Sequence, residues 1–222
     1  MKEAIIIFTR VPIPGKTKTR LEKFITKEEC AELHKNFLKD IKSTIEHLNR
    51  DIFVFYTQED KNNILYNIFG EKVNYQIQEG HDLGEKMYNA IEFVLKNRYD
   101  SCILMGTDIP YLEEKDVENA FNILKNKDIV LGPTQDEGYY LVGMKKPTKK
   151  LFENIEYGHG NVLDNTIASI IKNNLTYGLT KINRDIDEEE DIRYFYEEIK
   201  NGLIDENMNT SKFIINKLEE CR

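Results

Sequence analysis

The 222-residue sequence predicts an α/β fold built on a mixed, mostly parallel sheet, and three observations carry that prediction. Short β-type runs recur at Ala4 to Phe8, Ile52 to Tyr56, Val73 to Ile77, Ser101 to Met105, Ile129 to Leu131 and Tyr139 to Met144, mostly separated by helix-length amphipathic segments. The run Cys102-Ile-Leu-Met stops abruptly at Gly106 and delivers one carboxylate, Asp108, ahead of Pro110. That is the texture of a buried parallel strand whose carboxyl end faces a ligand crevice. Finally, only Gly132 to Gly138 joins the fifth run to the sixth. This link is too short for a right-handed crossover, so that pair is expected to be antiparallel or displaced.

The first helix starts on a capping-box pattern, Thr26-x-x-Glu29, and then places Cys30, Leu33, Phe37, Ile41, Ile45 and Leu48 at three- and four-residue intervals. A second, from about Leu83 to Asn97, repeats the spacing with Met87, Ala90, Ile91, Val94 and Leu95, and a third runs through Val117, Ala120, Phe121 and Leu124. Further on, 161–172 reads as helix, Leu179 to Ile182 as a short edge strand, and Glu188 to Lys200 as a charged helix. From Asp205 a polar link leads to a last amphipathic set, Phe213, Ile214 and Leu218.

A net charge of −8 and a pI near 5.2 argue against nucleic acid or an anionic membrane as the main partner, since both select a basic footprint. An anionic ligand then needs a local positive site. The first apolar run is too short for a secretory signal and none approaches the length of a bilayer span, so a soluble cytoplasmic protein is expected. Cys30, Cys102 and Cys221 are odd in number and lack metal-type spacing; they read as two core thiols and a free tail thiol.

Three loops are candidates for one site. After the first strand comes Thr9-Arg-Val-Pro-Ile-Pro-Gly-Lys-Thr-Lys-Thr-Arg20, without P-loop spacing. If the segment after Gly15 is extended, Lys16, Lys18 and Arg20 project to one side, a row suited to a diphosphate; a solvated basic turn is the alternative. The second loop, Gln78 to Met87, carries Gly80 and Gly84, where backbone could approach a ligand at a helix start, and Asp82, which could equally be an N-cap. His81 has no partner at ligand spacing and reads as a surface residue. The third, Gly132 to Gly143, combines turn residues with Asp136 and the pair Tyr139-Tyr140; Asp136 is the candidate general base, and Gly138, Tyr139 and Tyr140 the candidate acceptor wall. A divalent cation on Asp108 would neutralise a diphosphate, with Asp185 or, preferred, Asp187 as the second carboxylate. The run Asp185 to Asp191 could instead be the acidic first turns of a helix.

Four blocks, F-T-R-x-P-x-P-G-K-x-K-T-R-L at Phe8 to Leu21, D-L-G-E-K-M at Asp82 to Met87, G-T-D-I-P at Gly106 to Pro110 and G-P-x-x-D-x-G-Y-Y-L-V-G at Gly132 to Gly143, resemble a family of bacterial and archaeal glycosyltransferase-type proteins catalogued as a domain of unknown function, DUF2064-like. Their order covers about residues 4 to 192. That family is similar to the nucleotide-diphospho-sugar transferase (GT-A) fold, which also includes the molybdenum-cofactor and phospholactate nucleotidyltransferases. The resemblance implies a three-layer αβα domain, and the chain is expected to form one such domain over residues 1–222; 203–222 lies outside the resemblance and is expected to be a C-terminal extension, either a homodimer contact or a cover. It further implies phosphate binding by Arg10, Gly15, Lys16, Lys18, Arg20, Asp82, Leu83 and Gly84, and Mg²⁺ or Mn²⁺ held by Asp108 and Asp187. The chain departs from the family pattern at Glu137, where a glycine is usual, and at Glu188-Glu189, where T-P is usual; it offers Thr107-Asp108 rather than a D-x-D pair.

The leading expectation is therefore a metal-dependent transferase that takes a nucleotide diphosphate sugar and passes the glycosyl group to an acceptor. The alternatives are a nucleotidyltransferase, which joins a nucleoside triphosphate to a phosphorylated small molecule and releases pyrophosphate, and a catalytically silent nucleotide-binding protein.

Overall fold

The computed structural model describes residues 2–57, 59–158 and 160–220. Seven strands form one sheet: β1 (Glu3–Thr9), β2 (Asp51–Tyr56), β3 (Asn74–Ile77), β4 (Ser101–Met105), β5 (Ile129–Pro133), β6 (Tyr139–Met144) and β7 (Tyr177–Leu179), in the order β3-β2-β1-β4-β6-β5-β7. All neighbours pair parallel except β6, which runs antiparallel to both β4 and β5; the short link accounts for the β5–β6 pair.

Alternate residues of each central strand feed opposite faces, because side chains on a strand alternate with a period of two. Ile5 and Ile7 of β1, with Ile103 and Met105 of β4, pack under α1 (Lys27–Ile45), α2 (Ile64–Phe69) and α4 (Glu114–Asn126). Ala4, Ile6, Cys102 and Leu104 pack under α3 (Leu83–Lys96) and α5 (Val162–Lys172). The result is a three-layer αβα architecture. The capping box at Thr26 and Glu29 forms as the spacing predicts, with both reciprocal bonds present. Cys30 and Cys102 are buried free thiols; Cys221 lies outside the described residues.

A third cluster holds the C-terminal part. Ile192, Phe195 and Ile199 of α6 (Glu189–Lys200), with Ile214 and Leu218 of α7 (Asn209–Glu220), meet Leu33 and Phe37 on the outer side of α1. Asp40 of α1 accepts from the backbone N–H of Asn209 (2.9 Å) and of Thr210 (2.8 Å), satisfying donors at the start of α7. The stretch after residue 202 is thus packed into the body of the molecule. No helix among the described residues is long and apolar enough to cross a membrane.

Two local expectations need correction. The edge strand is Tyr177–Leu179, not Leu179 to Ile182: Gly178 sits so close to Ile123 that a Cβ there would lie 2.6 Å from its Cγ2, and this close approach seats the strand beside β5. Ile182 is 64% exposed in the linker that follows. The short helix α2 escaped the periodicity reading because it spans only six residues, fewer than two turns.

Candidate active site

The carboxyl ends of β1 and β4, the β5–β6 hairpin and the segment before α6 enclose a cavity of about 840 Å³. On its wall lies Lys18. The ammonium Nζ is 2.5 Å from Asp108 Oδ1 and 3.2 Å from Asp187 Oδ1, and donates to the carbonyl of Ile186 at 2.6 Å. Arg20 reaches the other oxygen of Asp187 at 2.8 Å. Lys18's side chain is only 3% exposed, whereas that of Asp108 is 48% exposed and opens to the cavity. Burial opposes the charged form of Lys18, but Asp108 and Asp187 more than offset it, and its pKa lies above the ordinary lysine value.

Asp108 and Asp187 are 79 residues apart in the chain, and a pinned strap brings them together. The backbone N–H of Ile186 donates to the carbonyl of Asp108 at 2.9 Å. The Tyr111 hydroxyl donates to the carbonyl of Arg184 (2.6 Å) and accepts from its N–H (3.0 Å). The acidic run therefore divides. Glu189, Glu190 and Asp191 form the first turn of α6, with Glu188 and Asp191 closing a capping box, while Asp187 turns back toward the cations.

The basic loop does not form the extended row that its alternation suggests. Gly15 (φ +71°) makes a turn in which Lys16 N–H bonds the Ile13 carbonyl, Lys18 adopts φ +50°, and 19–23 is a short 3₁₀ turn. The physical reason is the buried ammonium: Lys18 turns inward to its carboxylates, and Lys16 is left outside. Arg10, Lys18 and Arg20 line the cavity, whereas Gly15 and Lys16 do not.

In the second loop, Asp82 is the N-cap of α3 and accepts from Glu85 N–H at 2.8 Å; neither Asp82 nor Gly84 lines the cavity, although Leu83 does. Gly84 is a packing glycine, since a Cβ there would lie 2.6 Å from the Phe152 carbonyl oxygen. His81 is exposed.

The paired tyrosines separate by the same period-two rule. Tyr139 belongs to the cluster beneath α3 and α5, and its hydroxyl lies 3.3 Å from that of Tyr157 at the cavity wall. Burial pushes its pKa up to about 12. Gly138 and Tyr140 also line the cavity, but the Tyr140 ring is only 8% exposed, packs on the opposite face and bonds Thr180 through its hydroxyl at 3.0 Å. Asp136 sits at the hairpin tip, accepting from the Thr134 hydroxyl (2.5 Å) and from Gly138 N–H (3.3 Å). Glu137 adopts φ +66°, the left-handed region that favours glycine, and its carboxylate accepts from Asn161 N–H at 3.1 Å at the start of α5. Its charge is directed to that helix.

Behind the loop lies a buried polar group that no sequence motif marks: Thr9, Thr17, Thr107 and His34, all at most 5% exposed. The available signal was His34 itself, a polar residue between Leu33 and Phe37 on the apolar stripe of α1. Lys86 and Gln78 also line the cavity.

Asp185 completes the acidic side. Its pKa is raised from 3.8 to about 6 by burial first and then by the charge of Asp136, with smaller contributions from Asp187 and Asp108. The folded state thus holds a proton that the unfolded chain releases between about pH 4 and 6, and stability falls as pH rises through that window. Replacing Asp185 by Asn is expected to raise metal-free stability by roughly 1–2 kcal/mol at pH 7.5, after discounting for solvent screening. The gain should vanish below pH 4. Urea unfolding across pH 3.5–8 checks this; a pH-independent difference would contradict it.

This combination of a β6-reversed parallel sheet with the cavity at its carboxyl edge is the nucleotide-diphospho-sugar transferase fold. A crystal structure from Desulfovibrio desulfuricans G20, provisionally described as a nucleotide-diphospho-sugar transferase, superposes with a TM-score of 0.91 at 28% identity, over 97% of this chain and 95% of that one. A 4-diphosphocytidyl-2C-methyl-D-erythritol synthase from Anaerococcus prevotii shares the fold at a TM-score of 0.58 and 12% identity, over 90% of this chain and 96% of that one. The chain belongs to the family described as "Uncharacterized protein conserved in bacteria (DUF2064)", whose model matches residues 41–159. It is also similar to 2-phospho-L-lactate guanylyltransferases. The protein from Methanosphaera stadtmanae is 33% identical over 165 residues, 69% of this chain and 64% of that protein. The one from Methanocaldococcus vulcanius is 28% identical over 142 residues, 64% of this chain and 61% of that protein. The chain spans less than two thirds of the length of these curated relatives.

Proposed function

We propose that the protein is a metal-dependent nucleotidyltransferase that joins a nucleoside triphosphate to a phosphorylated small molecule and releases pyrophosphate. The observation that carries this reading is the interlocked charge group on the cavity's wall: Lys18 and Arg20 facing Asp108 and Asp187, with Asp108 open to the cavity. The guanylyltransferase relatives favour nucleotidyl transfer over the glycosyl transfer that the sequence motifs put first.

Whether Mg²⁺ or Mn²⁺ fits can be judged from the donors. One oxygen each of Asp108 and Asp187 already converges on a single cationic point, the Lys18 ammonium, and hard carboxylate oxygens are what these ions select. A bound cation would neutralise charge on the leaving pyrophosphate. Lys18, released from the carboxylates, would bind phosphate oxygens as a mobile point charge, and Arg20 as a planar fork. In the reaction an anionic phosphate oxygen of the second substrate attacks the α-phosphorus, the bond to the bridging oxygen breaks, and pyrophosphate leaves. Such a nucleophile is already ionised and requires no base, so Asp136 serves here to shape the hairpin; a hydroxyl acceptor in glycosyl transfer would require a base.

A pyrophosphate-release assay with GTP, CTP, UTP and ATP, each with Mg²⁺ or Mn²⁺ and a panel of phosphorylated hydroxy acids and polyols, tests the reading. Pyrophosphate formation with one nucleotide preferred is the expected result. Slow hydrolysis of a nucleotide sugar with no pyrophosphate under any combination would sink it in favour of glycosyl transfer.

A further inference from the structure

Behind the basic loop lies a histidine that the proposed chemistry does not use. His34, on the third turn of α1, is 3% exposed and surrounded by three threonine hydroxyls. Its Nδ1 is 2.5 Å from Thr17 Oγ1; its Nε2 is 3.2 Å from both Thr9 Oγ1 and Thr107 Oγ1. One assignment of the hydrogens satisfies every member of the group, with the Thr107 hydroxyl donating to that of Thr9 at 3.4 Å. In it the Thr9 hydroxyl donates to the Arg10 carbonyl at 2.9 Å and accepts from His34, whose Nε2 carries the proton. In a neutral ring Nδ1 is then the acceptor, and the Thr17 hydroxyl donates to it. Neutrality is favoured by the surroundings: burial first, then the positive charges of Lys18 and Arg10, push the His34 pKa down to about 3.

The two outer partners directly precede the two charged groups on the wall of the cavity. Thr17 is followed by Lys18 and Thr107 by Asp108, whose side chains meet at 2.5 Å. Thr17 stands on the turn between Gly15 and the 3₁₀ segment, outside the sheet and its flanking helices, while Thr107 follows the fully buried strand β4. We infer that His34 is a positioning residue, whose neutral imidazole clamps the loop carrying Lys18 to the tip of β4 and so sets the spacing between the phosphate-binding cation and the metal-binding acid. Buried polar groups with complete partners act in this way because leaving any one of them unpaired costs its full desolvation. The functional part of the inference rests on the nucleotidyl-transfer reading; the clamp itself does not.

The test therefore has one arm without ligand and one with it. Limited trypsin digestion of the ligand-free protein reads the order of the loop through cleavage after Lys16, Lys18 and Arg20. His34→Leu, Thr17→Val and Thr107→Val are each expected to speed cleavage there at least tenfold while leaving α6 and α7 resistant. Thr17→Ser, which keeps the hydroxyl, should restore wild-type resistance. In the second arm, titration with GTP and CTP in the presence of Mg²⁺ should show at least tenfold weaker binding for Thr17→Val and near wild-type binding for Thr17→Ser. If His34→Leu fails to fold, the threonine pair decides the matter alone. Unchanged loop cleavage in folded Thr17→Val and Thr107→Val would overturn the clamp. Faster cleavage with unaltered nucleotide affinity would overturn its role in positioning. If the wild-type protein binds no nucleotide at all, the nucleotidyl-transfer reading fails while the digestion arm still decides whether the clamp exists.

Discussion

Replacing Asp108 by asparagine is expected to abolish the metal-dependent part of nucleotide binding while leaving the fold intact. Asparagine is isosteric and preserves the backbone carbonyl that accepts from Ile186, so the strap before α6 keeps its anchor. What it removes is the half-exposed carboxylate open to the cavity, together with one of the two charges facing the buried Lys18 ammonium; Asp187 retains the other. For the wild-type protein, a nucleotide with Mg²⁺ at about a hundred times its dissociation constant should add roughly 2.7 kcal/mol. In a chain of this size that raises the melting temperature by roughly 5–11 °C. In Asp108→Asn the increment due to the ion should fall to zero, and turnover by roughly 10²–10³-fold, the usual scale for losing one group that stabilises transition-state charge. Thermal unfolding with and without Mg²⁺ measures it. An undiminished ion-dependent shift would remove Asp108 from the metal site.

Lys18→Met should have the second largest effect, with opposite signs in two measurements. Deleting the ammonium leaves Asp108 and Asp187 facing each other without the cation that now sits between them. Removing one partner of a fully buried pair costs about 3–5 kcal/mol. Here both acids retain access to solvent, so a loss of roughly 1–3 kcal/mol in the metal-free protein is expected. Mn²⁺ alone should then stabilise Lys18→Met by more than it stabilises wild type, because the ion no longer displaces a resident ammonium. Nucleotide turnover should drop by roughly 10²-fold or more, since the same ammonium is assigned to the phosphates. Equal Mn²⁺ shifts in the two proteins would show that lysine and metal do not share one position.

The two variants also separate the roles of the acid and the lysine. Asp108→Asn should lose its response to metal, whereas Lys18→Met should keep or enhance it while losing nucleotide. The silent-binder alternative predicts nucleotide binding in the wild type with no turnover under any second substrate, and it survives only if the pyrophosphate assay is blank while the thermal shifts are present.

Much of the fold was legible because its signals are local. Each parallel strand is a short apolar run of fixed period, and each helix an amphipathic stripe, so Ile5 and Ile7 separate from Ala4 and Ile6 as alternation demands. That the fifth and sixth strands are antiparallel or displaced followed from loop length, though not which of them is reversed, and Asp108 stood out because a buried strand ends beside it. Lys18 and Arg20 were likewise read as ligand-facing cations, and both line the cavity.

What tertiary structure decided is which charged groups meet. Lys16, Lys18 and Arg20 share a spacing, yet only the two held by Asp187 turn to the site, because burying an ammonium is favourable only where carboxylates wait for it. Tyr139 and Tyr140 are adjacent and alike and both line the cavity, but the pleat sends their rings to opposite faces of the sheet, one hydroxyl toward Tyr157 and the other to Thr180. His34 reads as one more residue on a helix stripe until Thr9, Thr17 and Thr107 arrive from three other parts of the chain. Periodicity records how a segment meets water and core. The pairing of a lysine with an acid 169 residues away depends on how the segments cross, and that is set by the packing of the whole sheet.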